Sequence, residues 1–264
     1  MNKSKEKLKT NEPITWCPGC PNFLILEAIK QTIANLIEKE KINHNDFAMT
    51  TDIGCNSKIF DYLNLSGIYS LHGRALPTAF GIKLANPKLN ILTFAGDGAI
   101  YSEGISHLIH AFRYNQDMTL FIHNNQNFSL TTGQATATSQ RGYLIKGENR
   151  IEKNIPINPI KLALASNATF IARTNARDIP HMVEVFTKAI KHKGFSYVEI
   201  MQDCLIFNKD INNKDKFMYK IKDNTDYKKA TLLAEEFDYN SKNKKIPIGI
   251  IFQKKEPTFL EKFE

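Results

Sequence analysis

From Phe23 the chain reads FLILEAIKQTIANLIEKE, with apolar residues recurring three and four positions apart, which predicts an amphipathic helix. DFAMTTDIG then reads as a short buried strand. ILTFAGDG and TLFIHNN are apolar runs ending in turn residues, with the helical EGISHLIHAFRYN between them. ATFIARTN, DIPHMVEVFTKAIKHK and FSYVEIMQ repeat the order strand, helix, strand. Alternation of this kind predicts an α/β fold, a mostly parallel sheet flanked by helices on both faces. Active sites of such sheets lie beyond the carboxyl ends of the strands, which is where this chain places its glycine and polar signals. Residues 135–165 read as a long loop and residues 1–13 as an N-terminal extension. From about 205 to 264 the chain reads as an irregular tail, broken by the strand-like Ile246–Gln253. There is no internal repeat and no Gly/Ser-rich linker, so the 264 residues are expected to form one domain.

Charge changes this picture little. The formal net charge is +8, but the lysines are scattered and acids are interleaved in most basic runs. A phosphate-tracking surface gathers its basic residues with aromatic platforms between them, so no nucleic-acid partner is expected. The opening MNKSKEKLKT has no apolar core, and no uninterrupted apolar run is long enough to cross a bilayer. No membrane partner and a cytoplasmic location are therefore expected. Four cysteines in a reducing compartment, in a chain large enough to fold without disulfides, point to metal or redox chemistry. Four thiolates by themselves suit zinc or an iron–sulfur cluster equally. Zinc sites of this type commonly come as two CxxC pairs, whereas here one pair, Cys17 and Cys20, is joined by the distant singles Cys55 and Cys204.

The densest chemistry begins at Gly96. GDG puts Asp97 between two glycines at the end of a strand and just ahead of a helix, and HNNQNF ends the next strand. Glycines there let backbone N–H groups approach an anion, and a helix N-terminus adds partial positive charge for a diphosphate. A carboxylate from Asp97 and an amide oxygen from Asn125 suit Mg²⁺, which keeps few protein ligands and completes its octahedron with phosphate oxygens. GDG alone reads first as an ordinary turn, and the asparagine pair at the matching end of the next strand removes most of that reading's advantage. His107 and His110, three apart on the predicted helix, read as packing or hydrogen-bonding residues because no other ligand completes a set. Asp117 and the step His123–Asn124 read as surface or turn features.

GDG followed by NN across one strand–helix–strand unit resembles the signature of thiamine diphosphate enzymes. The flanking segments WCPGC, DIGCNSK, HGRALPTAFGIKLANP, GDG through TTGQATATS, YVEIMQDC and IPIGIIF are similar, in order, to the β subunit of 2-oxoacid:ferredoxin oxidoreductases. The resemblance runs from about Trp16 to Glu264 and implies the thiamine diphosphate-binding fold. It also implies that Cys17, Cys20, Cys55 and Cys204 hold a [4Fe–4S] cluster, with Trp16 and Pro18 shielding it from water. Asp97, Asn125 and the backbone carbonyl of Asn127 would bind Mg²⁺. Ile53, Gly54, Cys55, His72, Gly73, Arg74, Gly96, Gly98, Leu130 and Thr131 would contact the thiamine diphosphate. Lys58, His72 and Arg74 would be catalytic, Lys58 facing the substrate carboxylate.

The activity so implied is oxidative decarboxylation of a 2-oxoacid such as pyruvate, with coenzyme A as acyl acceptor and ferredoxin as electron acceptor. By the same resemblance an α subunit would complete the site, supplying the glutamate that stands against the aminopyrimidine ring, in an assembly of two αβ pairs. Pro21, Ala99, and the pair Phe128–Ser129 depart from the family pattern, and none of them removes a ligand. Two other readings use fewer of these features. A non-redox thiamine enzyme subunit needs GDG and NN but not the cysteines, and a zinc-stabilised binding module needs only the cysteines.

Overall fold

The computed structural model describes residues 3–208, 214–240 and 245–264. A short helix α1 (Lys3–Glu6) precedes the long α2 (Asn22–Lys39), which lies where the apolar repeat predicts it. Next come β1 (Phe47–Thr51), the single turn α3 (Ile59–Tyr62), β2 (Ser66–Tyr69), α4 (Ala75–Ala85) and β3 (Asn90–Gly96). A π-helical turn over Ala99–Glu103 leads into α5 (Ile105–Tyr114) and β4 (Met118–Asn124).

The stretch expected to be one long loop contains a hairpin, β5 (Leu144–Ile145) with β6 (Arg150–Ile151), and helix α6 (Pro159–Ala165). At seven residues α6 is too short to display a period, and it is set by its ends: Pro159 opens it and the Asn158 side chain accepts from the Lys161 N–H. Then follow β7 (Phe170–Asn175), α7 (Ile179–Lys191), capped by Asp178, and β8 (Phe195–Met201). The segment expected to be an irregular tail adds β9 (Met218–Lys220), α8 (Tyr227–Glu236) and β10 (Ile246–Gln253). Helix α8 buries only Ala230, Leu233 and Ala234, so its apolar stripe is too narrow to stand out from the lysines around it.

Eight strands form one sheet in the order β2-β1-β3-β4-β8-β7-β10-β9. The six strands from β2 to β7 in that order run parallel, and β10 is antiparallel to β7. Every residue of β1, β4 and β8 is buried, as expected of parallel strands covered on both faces. Side chains alternate between the layers: Phe121 packs with Ile29, Ile33, Val185 and Phe186 of α2 and α7. Its neighbours Leu120 and Ile122 face Leu76, Leu108, Phe112 and Leu233 of α4, α5 and α8.

One strongly polar contact sits inside this apolar architecture. Arg173 of β7 and Glu199 of β8 are register partners, both fully buried, with Nε to Oε2 at 2.8 Å. Glu199 also accepts from Asn124 Nδ2 at 2.9 Å and from the Tyr239 hydroxyl, while the Arg173 guanidinium lies 5.4 Å from the Phe237 ring centroid. Removing one member of such a pair strands the other's charge in a low-dielectric interior. Glu199→Gln is therefore expected to lower folding stability by about 3–5 kcal/mol. Urea denaturation of the variant beside wild type measures this, and a loss under about 1 kcal/mol would contradict the buried pair.

Candidate functional site

Four neighbouring parallel strands, β1, β3, β4 and β8, end on the same edge of the sheet, and the segments leaving them build the site. After β1 the chain turns through Asp52, Ile53 and Gly54 to Cys55. Gly54 has φ of 139°, and an added Cβ would meet the Asn56 side chain at 2.8 Å, so glycine is required there. Asp52, fully buried, organises this turn by accepting from Asn56 Nδ2 (2.7 Å), Ser57 Oγ (2.6 Å) and the Gly96 N–H (3.1 Å). It thereby ties the exit of β1 to the exit of β3. Burial pushes its carboxyl up to about 6 against those donors.

Asp97 follows β3 and is 2% exposed. Its Oδ2 accepts from Thr136 Oγ1 at 2.6 Å and Thr138 Oγ1 at 2.9 Å, and Oδ1 lies 3.4 Å from the Asn125 N–H. Burial still raises it to about 7, because hydroxyl dipoles do not replace a full countercharge. Opposite Asp97 the chain leaving β4 makes a tight turn in which Gln126 has φ of 57°. All of Gln126's polar groups are held. Its N–H reaches Asn124 Oδ1 (3.2 Å), Nε2 reaches the Thr138 carbonyl (2.5 Å), Oε1 accepts from Lys214 (2.8 Å) and its carbonyl accepts from Ser139 (2.6 Å). A left-handed glutamine costs backbone energy and persists where the surroundings over-determine it. The result presents Asn125 and Asn127 on either side of it, cross-linked through Ser129 Oγ at 2.8 and 2.6 Å.

Together Ile53, Gly54, His72, Gly96, Asp97, Gly98, Asn125, Asn127, Leu130 and Thr131 line one cleft, with His123, Phe128 and Gln202. The Phe128 ring covers Gly98 so closely that a Cβ there would come within 2.3 Å of it. His72 pairs with Glu103 at 3.1 Å and lies against Phe128. Two expected residues point elsewhere. Arg74 donates to the Glu103 carbonyl at 2.8 Å and is not in the cleft wall, and Lys58 lies 3.0 Å from Thr15 Oγ1 in the adjoining cavity. Gly73, with φ of 68°, packs against Gly104 and Glu103 outside the cleft wall.

That adjoining cavity, about 220 Å³, is lined by all four cysteines. Cys17 and Cys20 precede α2, Cys55 follows β1 and Cys204 follows β8. Trp16, 6% exposed, donates its indole N–H to the Cys55 carbonyl at 2.6 Å and packs edge-on against Phe23 and Tyr62. The Phe207 N–H approaches Cys204 Sγ at 3.4 Å, and the Asn22 N–H bonds Cys20. Burial, with the neighbouring thiols, pushes Cys20 up to about 11, and burial raises Cys55 as well. Thiols held neutral in this way become thiolates when a metal binds them. Among the described residues no three His, Cys, Asp or Glu side chains converge as on a single ion. The thiols surround a space instead of a point. Cys55, Asn125, Ser129, Leu130 and Gln202 belong to the walls of both cavities.

Several residues here had no assigned role on sequence grounds. His123 and Asn124, expected to be surface or turn features, are 1% and 0% exposed and stand directly behind the cleft. Burial pushes the His123 imidazole down to about 3, so the ring is neutral. Their position at the end of a wholly buried strand is the signal that marks them. Thr136 and Thr138 lie within the quoted TTGQATATS, but only the fold shows them on Asp97. Asp117 is a partly buried partner of Lys83 at 3.0 Å, and His110 stacks on Tyr114.

Residues 52–200 match the family described as thiamine pyrophosphate enzyme, C-terminal TPP binding domain. The chain is 40% identical to the 2-oxoacid:ferredoxin oxidoreductase subunit beta of Saccharolobus solfataricus, over 90% of this chain and 81% of that protein. It is 38% identical to the 2-oxoglutarate oxidoreductase subunit KorB of Mycobacterium tuberculosis, over 75% of this chain and 52% of that one. A solved 2-oxoglutarate:ferredoxin oxidoreductase from Magnetococcus marinus, with 2-oxoglutarate, coenzyme A and succinyl-CoA bound, superposes with a TM-score of 0.91 at 30% identity. That match covers 99% of this chain and 89% of the other.

The two buried carboxylates give the metal-free chain a defined pH response. Each titrates near 3.8 when unfolded and higher when folded, at about 6 for Asp52 and about 7 for Asp97. The folded state therefore binds more protons than the unfolded state between those values, and their contribution to stability is lost as pH rises from about 4 to about 7. Denaturation midpoints at pH 5 and pH 7.5 should show Asp97→Asn losing less stability than wild type across that interval. Equal losses in the two proteins would contradict the buried, uncompensated charge on Asp97.

Proposed function

From the premise that this chain belongs to the family of 2-oxoacid:ferredoxin oxidoreductase β subunits and carries their thiamine pyrophosphate domain, we infer how its two cavities work together. It is an oxidoreductase subunit, and the designation β implies a partner α subunit. The reading goes further: the chain binds thiamine diphosphate with Mg²⁺ in the cleft and a [4Fe–4S] cluster in the cysteine cavity. With an α subunit it carries out coenzyme A-dependent oxidative decarboxylation of a 2-oxoacid, and ferredoxin takes the electrons. The observation that carries this is the shared wall, which sets the oxygen ligands and the thiols back to back.

Both groups fit the residues present. A carboxylate, a side-chain amide oxygen and a backbone carbonyl from Asp97, Asn125 and Asn127 form an all-oxygen set that suits Mg²⁺, and the cation supplies the charge that Asp97 lacks. Four thiols around a cavity of about 220 Å³, with backbone N–H donors at Cys20 and Cys204, suit a multi-iron cluster better than one zinc ion. When bound, the thiamine cofactor supplies an electron sink and the cluster a one-electron acceptor.

The chain's own residues then have separable tasks. Thr136 and Thr138 hold the Asp97 carboxylate, Ser129 orients Asn125 and Asn127, and Trp16 closes the cysteine cavity against water. His72, on the cleft wall with Glu103 behind it, is the side chain placed to hold a proton near substrate. Apolar Ile53 and Leu130 remain exposed at the cleft, and Leu71 beside His72 is 74% exposed, a surface that fits an α subunit closing over the site. Such an arrangement is expected to leave the chain inactive alone.

The decisive experiment is anaerobic co-expression with the α subunit. The complex should contain iron and acid-labile sulfide and reduce a viologen dye with 2-oxoglutarate, pyruvate or another 2-oxoacid in the presence of coenzyme A. Cys204→Ser should lose most of the iron while thiamine diphosphate still binds, and full iron with full activity would remove Cys204 from the ligand set. Asp97→Asn keeps the size and deletes the charge, so thiamine diphosphate affinity with Mg²⁺ present should fall on the order of 100-fold. Unchanged affinity by calorimetric titration would sink the metal assignment.

A further inference from the structure

A polar pair lies between the two cavities, His123 on the cleft side and Asn22 on the cysteine side, and the ligand assignments leave it unused. Asn22 opens α2, two residues after Cys20, and His123 is the next-to-last residue of β4. They are 0% and 1% exposed, and His123 Nδ1 lies 2.9 Å from Asn22 Oδ1. An amide oxygen only accepts, so the imidazole donates through Nδ1 and fixes which way the asparagine turns. On the far side of the amide, Asn22 Nδ2 has no partner in the protein, and neither has Oε1 of Gln202 across the same wall. Asn22 and Gln202 both line the cysteine cavity.

A buried amide NH₂ without an acceptor incurs its full desolvation cost, so native structures rarely leave one unmet. Gln202 Oε1 does not bond it in this structure, and the cavity also offers the four cysteine sulfurs as acceptors. The backbone N–H of the same residue already bonds Cys20. We propose that Asn22, held in orientation by His123, donates a side-chain hydrogen bond to the sulfur of the cluster and thereby sets its reduction potential. The inference rests on the cluster assignment above. The physical sense is definite. Reduction adds negative charge that spreads onto the sulfurs, so a donor stabilises the reduced form more than the oxidised form and raises the potential. His123 acts through Asn22 and is a positioning residue.

The test uses the anaerobic complex with its α subunit and a dye-mediated redox titration followed by electron paramagnetic resonance. Asn22→Leu, close in size but without a donor, should keep its iron and sulfide and shift the cluster to a more negative potential. A tenfold change in the one-electron reduction equilibrium is expected, which corresponds to about 59 mV. His123→Leu frees the amide to turn and should shift the potential in the same direction by less. The double variant should shift no further than Asn22→Leu alone, a non-additivity that two independent structural lesions would not produce. Should Asn22→Leu lose iron, His123→Leu decides by itself: an unshifted potential overturns the proposal. An intact cluster with unshifted potential in Asn22→Leu overturns it as well while leaving the cluster assignment standing. A wild-type complex without iron overturns both.

Discussion

Side-by-side pairing of four parallel strands is the constraint from which the site follows. Because β1, β3, β4 and β8 are neighbours and point the same way, whatever leaves their carboxyl ends must meet. Thr51 is register partner of Phe94, Gly96 of His123, and His123 of Ile200, so the four ends lie within about three residues of one level. Cys55, Asp97, Asn125 and Cys204 are each the first to fourth residue past their strand. No long-range preference of a cysteine for an aspartate is needed to bring 150 residues of sequence to one place. The sheet does this through backbone hydrogen bonds and apolar packing on both faces, and the functional groups come with it.

Rigidity behind those ends comes from polar groups that are expensive to bury and therefore specific once satisfied. Glu199 reaches across the sheet to Arg173, and forward to Asn124, whose Oδ1 accepts from both Gln126 and Thr138. Thr138 in turn bonds Asp97. A chain of hydrogen bonds therefore runs from a cross-strand ion pair to the Asp97 carboxylate. Lys214, pushed down to about 8 by burial, adds a further hold on Gln126. Partly satisfied networks of this kind are costly, so their geometry admits few alternatives. That property suits a turn which must keep a left-handed glutamine between Asn125 and Asn127.

Much of this was legible in the sequence where local pattern and chemistry coincide. Helix α2 shows its period over eighteen residues, and GDG and NN announce the exits of β3 and β4. The cysteines could be grouped because their number is small and the flanking text resembles a known family. What the sequence does not display is orientation. Lys58 and Arg74 sit on the expected segments, yet one turns to Thr15 and the other to the Glu103 carbonyl. Helices α6 and α8 were hidden because one is brief and the other buries three residues. His123 and Asn124 read as a turn because polar residues at a strand end usually are one, and only the cover on both sheet faces makes them interior.

The shared wall gives the division of the chain into two cavities a functional sense. Cys55 and Asn125 bound both cavities, so the cluster of the proposed function would adjoin the proposed thiamine site without a separate carrier domain. A cluster proposed this close to a proposed charged cofactor site would have to be insulated from water and from the other site's ligands. Trp16 and Leu130 supply apolar cover, while Gln202 and Asn22 keep the wall of the thiol cavity polar and His123 holds Asn22 from the cleft side. The loop from Asp52 to Lys58 carries both demands. Its aspartate braces the exit of β3, its glycine gives the turn, and its cysteine crosses to the other cavity. A shift in that one loop would disturb the Gly96–Asp97 exit and the Cys55 thiol together, and three hydrogen bonds to Asp52 and the positive φ of Gly54 hold it in place.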